Sequence, residues 1–315
     1  MFKLFLFLVL FVSLEAQEAM VTRQKVLMGT FVTLRVDPSH SKLIAPAFRL
    51  LKSIENSLSS YNDSSPISKL NKNKTAKLDR YSYEALLLSK NYYKETGAYF
   101  NIAIGKITKD LYSFGLNEKI ASKKELYGAS TALSNLIFDK NEAIISDVIK
   151  IDLGGMGKGY AADKVAEFFT KNKVKRAVIA LSGDIRCIGE CNIEVQNPFD
   201  KAGFLATFSM KNSAVSTSGN YRRYVKKKQY NHLINPKTHT SEQNFVSVTL
   251  ISDKLSSATL DAYATAVSVM PPKKAYSFLK KEPLAYMILQ SDKRFLVSSN
   301  IDEYVKDLEL KEFSF

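Results

Sequence analysis

The chain has 315 residues, of which 45% are hydrophobic and 24% charged, and its formal net charge at pH 7 is +14. This length and composition describe an ordinary globular protein and exclude collagen-like and intrinsically disordered chains. The basic residues are scattered, with short runs such as Lys226-Lys227-Lys228. Because no nucleic-acid-binding module accompanies them, we expect a lysine-rich solvated surface and no nucleic-acid partner.

Residues 1–19 have the pattern of a targeting segment. Residues 4–14 are almost all apolar, a stretch too short to span a bilayer and typical of a secretory signal. Ala16 and Ala19 mark an imperfect cleavage site, so an uncleaved N-terminal anchor is the alternative. We therefore expect a signal peptide or anchor over 1–19, followed by one exported domain over 20–315.

Hydrophobic periodicity predicts the main elements of that domain in chain order. Strands are predicted over 26–36, 151–153, 176–181, 207–216 and 245–252, and helices over 44–58, 83–96, after 157 and after 256. Neither a Gly/Pro/Ser-rich linker nor an internal repeat divides the chain, which favours one folded unit.

The two cysteines lie close together in the sequence. Cys187 and Cys191 flank Ile188-Gly189-Glu190, and a glycine among β-prone residues predicts a hairpin. A disulfide or two free thiols fit this pair better than a metal, because a zinc site needs further Cys or His ligands nearby.

The glycine-rich stretch Ile151–Asp163 is the first candidate site. An apolar run leads into four glycines and Lys158, and a helical pattern follows. In this arrangement backbone N–H groups can lie against a phosphate, and Lys158 adds a positive charge. The spacing matches neither the Walker A nor the Rossmann pattern, so a tight turn with a solvated lysine is the alternative.

Two later segments carry further chemistry. Asp261 and Thr265 are four residues apart on a predicted helix, so their oxygens project from one face and suit Mg²⁺. The alternative is that Asp261 caps the helix and Thr265 fills a groove. His232 lies in a turn-rich segment, where it is either a general base or a structural residue.

Together these segments resemble the ApbE family, the FAD:protein FMN transferases. The matching motifs follow the family's order: M-G-T at 28–30, S-x-Y ending at Tyr61, F-N ending at Asn101, D-L-G-G-x-G-K-G-Y-A-x-D from 152, G-D-I at 183–185, T-S-G-x-Y-R-R-Y at 217–224, H-x-I-x-P-x-T at 232–238 and A-T-L-D-A-x-A-T-A at 258–266.

The resemblance implies an α+β fold, related to the T-fold, in which a two-lobed single domain holds FAD in a cleft between its lobes. It also implies a Mg²⁺-dependent periplasmic enzyme, with peripheral association with the inner membrane. Such an enzyme splits the FAD pyrophosphate, attaches FMN to a Thr or Ser of an acceptor flavoprotein with a D-G-x-S/T-G-A-S/T motif, and releases AMP. Some members instead hydrolyse FAD to FMN and AMP.

The resemblance further implies roles for individual residues. His232 and Asp261 are the expected catalytic residues, and Asp261, Thr265 and the backbone oxygens of Gly157 and Ala264 are the expected metal ligands. The expected FAD contacts are Met28, Tyr61, Tyr99, Phe100, Asn101, Gly154, Lys158, Tyr160, Asp184 and Asn235. Asn235 stands where the family frequently has aspartate, so no carboxylate at this position raises the pKa of His232.

Two functions of other classes compete with this interpretation. A non-catalytic periplasmic flavin carrier would bind FAD and leave it intact. A protein that binds anionic surfaces through its +14 charge would show steep salt dependence and no bound flavin.

Overall fold

The structure is a computed structural model that describes residues 19–200 and 202–311. The predicted signal peptide or anchor therefore lies outside the described residues, apart from Ala19. Within the described ranges, no helix combines the length and the apolar character that a membrane span requires.

An eight-stranded antiparallel sheet forms the centre of the molecule. With strands numbered in chain order, its spatial order is β1 (Val21–Leu27), β2 (Thr30–Val36), β6 (Ala177–Leu181), β7 (Asp184–Ile188), β10 (Ala214–Gly219), β11 (Phe245–Ser252), β12 (Ala285–Gln290) and β13 (Phe295–Val297). Two three-stranded sheets accompany it. One has the order β14 (Lys306–Leu310), β9 (Phe204–Lys211), β8 (Glu190–Gln196), and the other the order β3 (Thr75–Lys77), β5 (Glu142–Ile145), β4 (Leu136–Phe138).

Seven α-helices connect these strands in the described part of the chain. They are α1 (Ile44–Leu58), α2 (Pro66–Asn73), α3 (Arg80–Glu95), α4 (Lys123–Gly128), α5 (Gly157–Lys171), α6 (Ser257–Val269) and α7 (Pro272–Leu279). A short π-helix, Lys106–Leu111, carries side chains that reach the candidate site.

Alternation of side chains along the central strands separates two cores. Leu250 and Ile288 belong to the large core shared with α1, α5 and α6, whereas their neighbours Ile251 and Met287 belong to a core shared with the β8–β9–β14 sheet. This is the period of two expected for a sheet covered on both faces. Helices and antiparallel sheets thus form separate layers, as the α+β prediction requires.

Two predicted single strands are in fact pairs of strands. The stretch 26–36 lies within the β1–β2 hairpin, because Met28 (φ 53°) and Gly29 (φ 70°) form a turn with two positive φ angles, the geometry that joins antiparallel strands tightly. The stretch 207–216 is likewise divided at Asn212, where φ is 50° and the chain passes from β9 into β10 of a different sheet.

The predicted strand before the glycines is extended chain held by a side chain. The amide of Asn71 donates to the Ile151 carbonyl at 2.8 Å and accepts from the Ile151 N–H at 2.6 Å. The Asn71 side chain, together with backbone hydrogen bonds from Asp152 to Ile102 and from Gly105 to Lys150, therefore holds this stretch in place of a neighbouring strand. The helices were predicted more closely: α1 has the predicted bounds, and α3 begins earlier because Asp79 and Ser82 form a capping box.

Cys187 and Cys191 form a disulfide, one of the two predicted alternatives. The predicted hairpin between them is wrong, because β7 and β8 belong to different sheets. Gly189, with φ 71°, turns the chain from one sheet to the other, and the disulfide joins the two strand ends.

Gly159 allows close contact between α5 and α6. A Cβ at this position would lie 2.2 Å from the Ser257 carbonyl oxygen. We expect Gly159→Ala to lower the free energy of unfolding by at least about 2 kcal/mol, because backbone would have to move. Urea unfolding measures this, with Gly128→Ala as the control, since a Cβ there meets nothing within 4 Å. Equal stability of the two variants would contradict the close contact.

Candidate active site

Lys158 lies between two buried carboxylates at the start of α5. Its ammonium is 2.7 Å from Asp184 Oδ2 and 3.2 Å from Asp261 Oδ2. Asp184 follows the turn between β6 and β7, and Asp261 lies in the second turn of α6. Three segments that are distant in sequence therefore meet at one cation.

Asp261 also accepts a hydrogen bond from the first turn of α5. The Gly159 N–H donates to its Oδ2 at 3.1 Å, so the carboxylate lies at the positive end of the helix. The glycine-rich segment thus holds an anion here, and that anion is the protein's own side chain.

Two carboxylates share this one ammonium, which leaves a net negative charge in a buried place. Burial and the neighbouring Asp184 raise the pKa of Asp261 to about 6. Burial alone would lower the pKa of Lys158. The carboxylates of Asp184 and Asp261 outweigh burial and hold this pKa above its usual range. Asp184 is 1% exposed, and its Oδ2 has the ion pair with Lys158 but no hydrogen bond of good geometry. An additional cation would be stabilised here.

Of the other predicted metal ligands, Thr265 lies on the same face of α6 as Asp261, and the Ala264 carbonyl oxygen accepts a hydrogen bond from the Ser268 hydroxyl at 2.7 Å. Thr265 follows Asp261 by one helical turn, is partly exposed, and donates only a long 3.3 Å hydrogen bond to the Gly155 carbonyl. The described residues contain no group of three His, Cys, Asp or Glu side chains that could hold a metal. A cation at Asp261 would therefore depend on hydroxyl and carbonyl oxygens, a donor set that fits Mg²⁺.

Asp163, one turn beyond the glycines, positions the helix that carries Asp261. Its two carboxylate oxygens accept from the N–H groups of Ser257 and Ala258, each at 2.9 Å. These are first-turn donors of α6 that have no partner within the helix. The carboxylate of Asp163, the last residue of the glycine-rich motif, therefore has a structural role at the start of α6.

Removing this contact should affect both stability and the site. We expect Asp163→Ala to lower the free energy of unfolding by about 1–3 kcal/mol, because two charge-assisted hydrogen bonds are lost. Mg²⁺ affinity should fall as α6 shifts. Urea unfolding and calorimetric Mg²⁺ titration measure the two effects. Asp63→Ala, an exposed aspartate, is the control; a variant of Asp163 as stable as that control would be contrary evidence.

Two cationic side chains contact Tyr61 beside the glycine-rich segment. The Tyr61 hydroxyl receives hydrogen bonds from Lys109 Nζ at 2.7 Å and from Arg223 at 2.8 Å, and Lys109 also lies 4.0 Å from the centre of the Tyr61 ring. Lys109 is 3.3 Å from Asp152 Oδ2, which links Tyr61 to the D-L-G-G motif. Tyr61 is 47% exposed, so its ring remains accessible to a planar ligand.

His232 is held beside Arg223 in the neutral form. Its Nδ1 lies 3.1 Å from the Arg223 carbonyl oxygen. Burial, the Arg223 guanidinium and Lys158 lower the pKa of His232 to about 4. A neutral ring that donates from Nδ1 leaves Nε2 as a proton acceptor, so this histidine can act as a base at neutral pH.

A cavity of about 410 Å³ opens near the same site. Its wall includes Asn101, Thr131, Lys237 and His239. The buried Phe100, which precedes the cavity-lining Asn101, would be 3.3 Å from a Cβ on Gly155, so one residue links the cavity wall to the glycine-rich segment.

The remaining predicted contacts divide into two groups. Met28 lies against Gly157, the exposed Gly154 lies on the open side of the turn, and Tyr99 is covered by Lys237 and Lys274. The side chains of two others are held inside the protein: Tyr160 donates to Glu84 at 2.7 Å, and Asn235 donates to Glu242 at 2.8 Å. For every residue in both groups, contact with FAD stays a prediction.

Three residues of this site were not among the predicted site residues. Lys109 lies on the π-helix without a motif around it, so only the folded chain reveals it. Arg223 and Asp163 are letters of the quoted motifs, and their presence in those motifs was the available signal.

The fold and site define a protein whose helix start and partly exposed lysine suit an anionic ligand beside a cation. The chain belongs to the ApbE family, whose model matches residues 28–288. It is 28% identical over 312 residues to an FAD:protein FMN transferase of Buchnera aphidicola, covering 90% of this chain and 91% of the relative. It is 26% identical over 240 residues to the Klebsiella pneumoniae FAD:protein FMN transferase, covering 72% and 76%.

The crystal structure of the ApbE protein from Thermotoga maritima has the same fold. The TM-score is 0.83 at 23% identity, and the match covers 91% of this chain and all of that one. The predicted family, its α+β fold and the assignment to the transferases are confirmed.

Proposed function

We propose that this protein is a Mg²⁺-dependent FAD:protein FMN transferase. The observation that carries the proposal is Lys158 at the start of α5, shared between the buried carboxylates of Asp184 and Asp261. The reaction is taken from the names of the relatives, which are FAD:protein FMN transferases. The charged side chains of the site are of the kind that this reaction needs.

In this proposal the FAD diphosphate lies along Gly154–Lys158. Backbone N–H groups at the start of α5 and the Lys158 ammonium would face its oxygens. The exposed Tyr61 ring offers a stacking surface for the isoalloxazine, and Lys109 and Arg223 fix that ring in place. The 410 Å³ cavity next to Phe100 offers room for another part of the molecule.

Asp261, Thr265 and the carbonyl oxygens of Gly157 and Ala264 would hold the metal ion. When bound, Mg²⁺ supplies positive charge against the diphosphate as negative charge grows on the departing AMP. The single buried carboxylate among these ligands, together with the uncompensated charge around Lys158, is the feature of the chain that supports this assignment.

The transfer itself needs a proton acceptor and a positioned hydroxyl. The Thr or Ser oxygen of the acceptor would attack the phosphorus of the FMN half, forming a new P–O bond as the bond to the AMP phosphate oxygen breaks. Nε2 of His232 would take the hydroxyl proton. Lys158 would stabilise the charge on the phosphate oxygens.

We also propose that the protein is exported to the periplasm, where it associates peripherally with the inner membrane. The N-terminal apolar segment and the Cys187–Cys191 disulfide support export, because disulfides persist in oxidising compartments. An alkaline phosphatase fusion after residue 25 tests export: it should be active, and an inactive fusion would contradict it.

Incubation of the protein with FAD, MgCl₂ and a peptide with a D-G-x-T-G-A-T core tests the reaction. We expect the peptide to gain the mass of one FMN group and AMP to be released. A peptide with valine at the acceptor threonine is the control and should stay unmodified. Free FMN with AMP and no adduct would indicate a hydrolase, and intact FAD would indicate a carrier.

A further inference from the structure

A strongly basic hairpin stands beside the candidate active site. Residues 221–231, here called the basic hairpin, fold back on themselves through a bridge between Tyr224 and Asn231 and a hydrogen bond from the Val225 N–H to the Tyr230 carbonyl. Its tip is Lys226-Lys227-Lys228, and Arg222 and Arg223 precede the tip. All five cationic residues are exposed.

The hairpin is fixed to the domain. Val225 is fully buried in a small core with Tyr112, Phe114 and Ile234. Arg223 donates from the base of the hairpin to the Phe114 carbonyl at 2.9 Å. The cations are therefore presented at a set position, as a docking surface needs.

The hairpin borders the place where an acceptor hydroxyl must arrive. His232 follows it directly and contacts the Arg223 carbonyl, and Arg223 contacts Tyr61. The tip lysines are three to five residues from Arg223, which puts them within roughly 10–18 Å of it. Leu116, 64% exposed, lies on the loop that follows Phe114 and Gly115, and a Cβ on Gly115 would be 3.2 Å from the Arg223 guanidinium.

The positive charge of the hairpin is not balanced locally. In the part of the chain that the structure describes, none of its lysines or arginines has an acidic partner within 4.0 Å. The nearby Glu118 and Glu242 bond to the Gly115 N–H and to the Asn235 amide instead. Exposed cations around an exposed leucine favour a partner with acidic and some apolar surface.

We propose that the basic hairpin is the docking surface for the acceptor protein, and that the acceptor carries acidic residues flanking the modified Thr or Ser. This rests on the proposed transferase function. A protein partner fits better than a membrane, because His232 directly follows the hairpin and a lipid surface lying there would compete with the acceptor for the approach to this residue. Docking there would bring the acceptor hydroxyl toward His232 and raise the encounter rate at low salt.

Binding, measured without catalysis, tests the proposal. Two fluorescein-labelled peptides with the same D-G-x-T-G-A-T core, one flanked by glutamates and one by glutamines, are titrated with the full chain in low-salt buffer and followed by anisotropy. We expect about tenfold tighter binding of the glutamate peptide. The K226Q/K227Q/K228Q variant should lose most of this preference. The control K171Q/K173Q/K175Q removes the same charge from exposed lysines at and after the C-terminal end of α5, and it should keep the preference for the glutamate peptide.

Three results would overturn the proposal: no preference in the unmodified chain, preference retained by the hairpin variant, or equal loss in both variants. A hairpin variant that loses only sedimentation with phosphatidylglycerol vesicles, while keeping the peptide preference, would show a membrane contact and also overturn it. Thermal unfolding checks that both variants fold. If no peptide gains FMN but the preference follows the hairpin, the transferase proposal fails, and the hairpin is a surface that binds acidic peptides without being an acceptor site.

Discussion

Replacing Asp261 with asparagine should lower the rate of FMN transfer by about a thousandfold. The substitution preserves shape and removes the one charged side chain among the expected metal ligands. Lys158 keeps Asp184 as an ion-pair partner 2.7 Å away, so the site should stay folded. The substitution should therefore lower Mg²⁺ affinity and the turnover rate. The midpoint temperature of thermal unfolding should change little.

Calorimetric Mg²⁺ titration and the peptide-transfer assay measure this effect. The matched control is Asp302→Asn, the same chemical change at an exposed aspartate, which should stay within about twofold of the unmodified rate. Full transfer activity in the Asp261 variant at moderate Mg²⁺ would remove the metal role assigned to this residue.

Replacing His232 with glutamine should lower transfer by about 10²- to 10⁴-fold, the usual contribution of a general base. FAD affinity should change much less, because we propose that the His232 ring contacts the acceptor hydroxyl and that other residues bind the dinucleotide. Transfer rates and the FAD dissociation constant, measured on the same samples, separate the two effects. His40→Gln, in the short helix Pro38–Leu43, is the control. Equal losses of binding and transfer would give His232 a binding role.

The pH dependence follows from the same histidine. Its pKa is lowered from 6.5 to about 4 in the folded protein, so Nε2 stays unprotonated throughout the neutral range. Its contribution to the transfer rate should therefore be level from about pH 5 to 8 and fall as the pH drops through about 4. A pH midpoint of the transfer rate near 6.5 that disappears in the glutamine variant would show that the folded protein does not lower the pKa of His232.

Stability should respond to pH in a related way. Between about pH 6.5 and 4 the unfolded chain binds a proton at His232 that the folded chain does not bind. The contribution of this residue to the free energy of unfolding is therefore full above about pH 6.5 and declines as the pH falls toward 4. Urea unfolding of the unmodified chain and the glutamine variant at several pH values measures the difference.

The sequence predicted elements better where one periodic pattern was uninterrupted. The apolar spacing over Ile44–Leu58 fixed α1 completely. Strands were joined wrongly at Met28 and Asn212, because the strand-like pattern continues on both sides and outweighed the turn signals of Gly29 and Asn212. At Ile151 the hydrogen-bonding partner is a side chain from α2, a contact that no local pattern encodes.

The candidate site was predictable in its members and less so in its connections. The motifs marked Lys158, Asp184 and Asp261, and the structure brings these three together. Lys109 and the helix-positioning role of Asp163 depend on contacts between segments more than 40 residues apart in the sequence. For the same reason the motifs could not show that Tyr160 and Asn235 turn their polar groups into the protein.

A crystal structure with FAD and Mg²⁺ bound tests the central claim most directly. We expect the diphosphate to lie against the backbone of Gly154–Lys158, with the ion bonded to Asp261 and Thr265 and the Lys158 ammonium turned toward phosphate oxygens. A diphosphate bound elsewhere, with Lys158 still paired to Asp184 and Asp261, would show that this site does not bind FAD for cleavage.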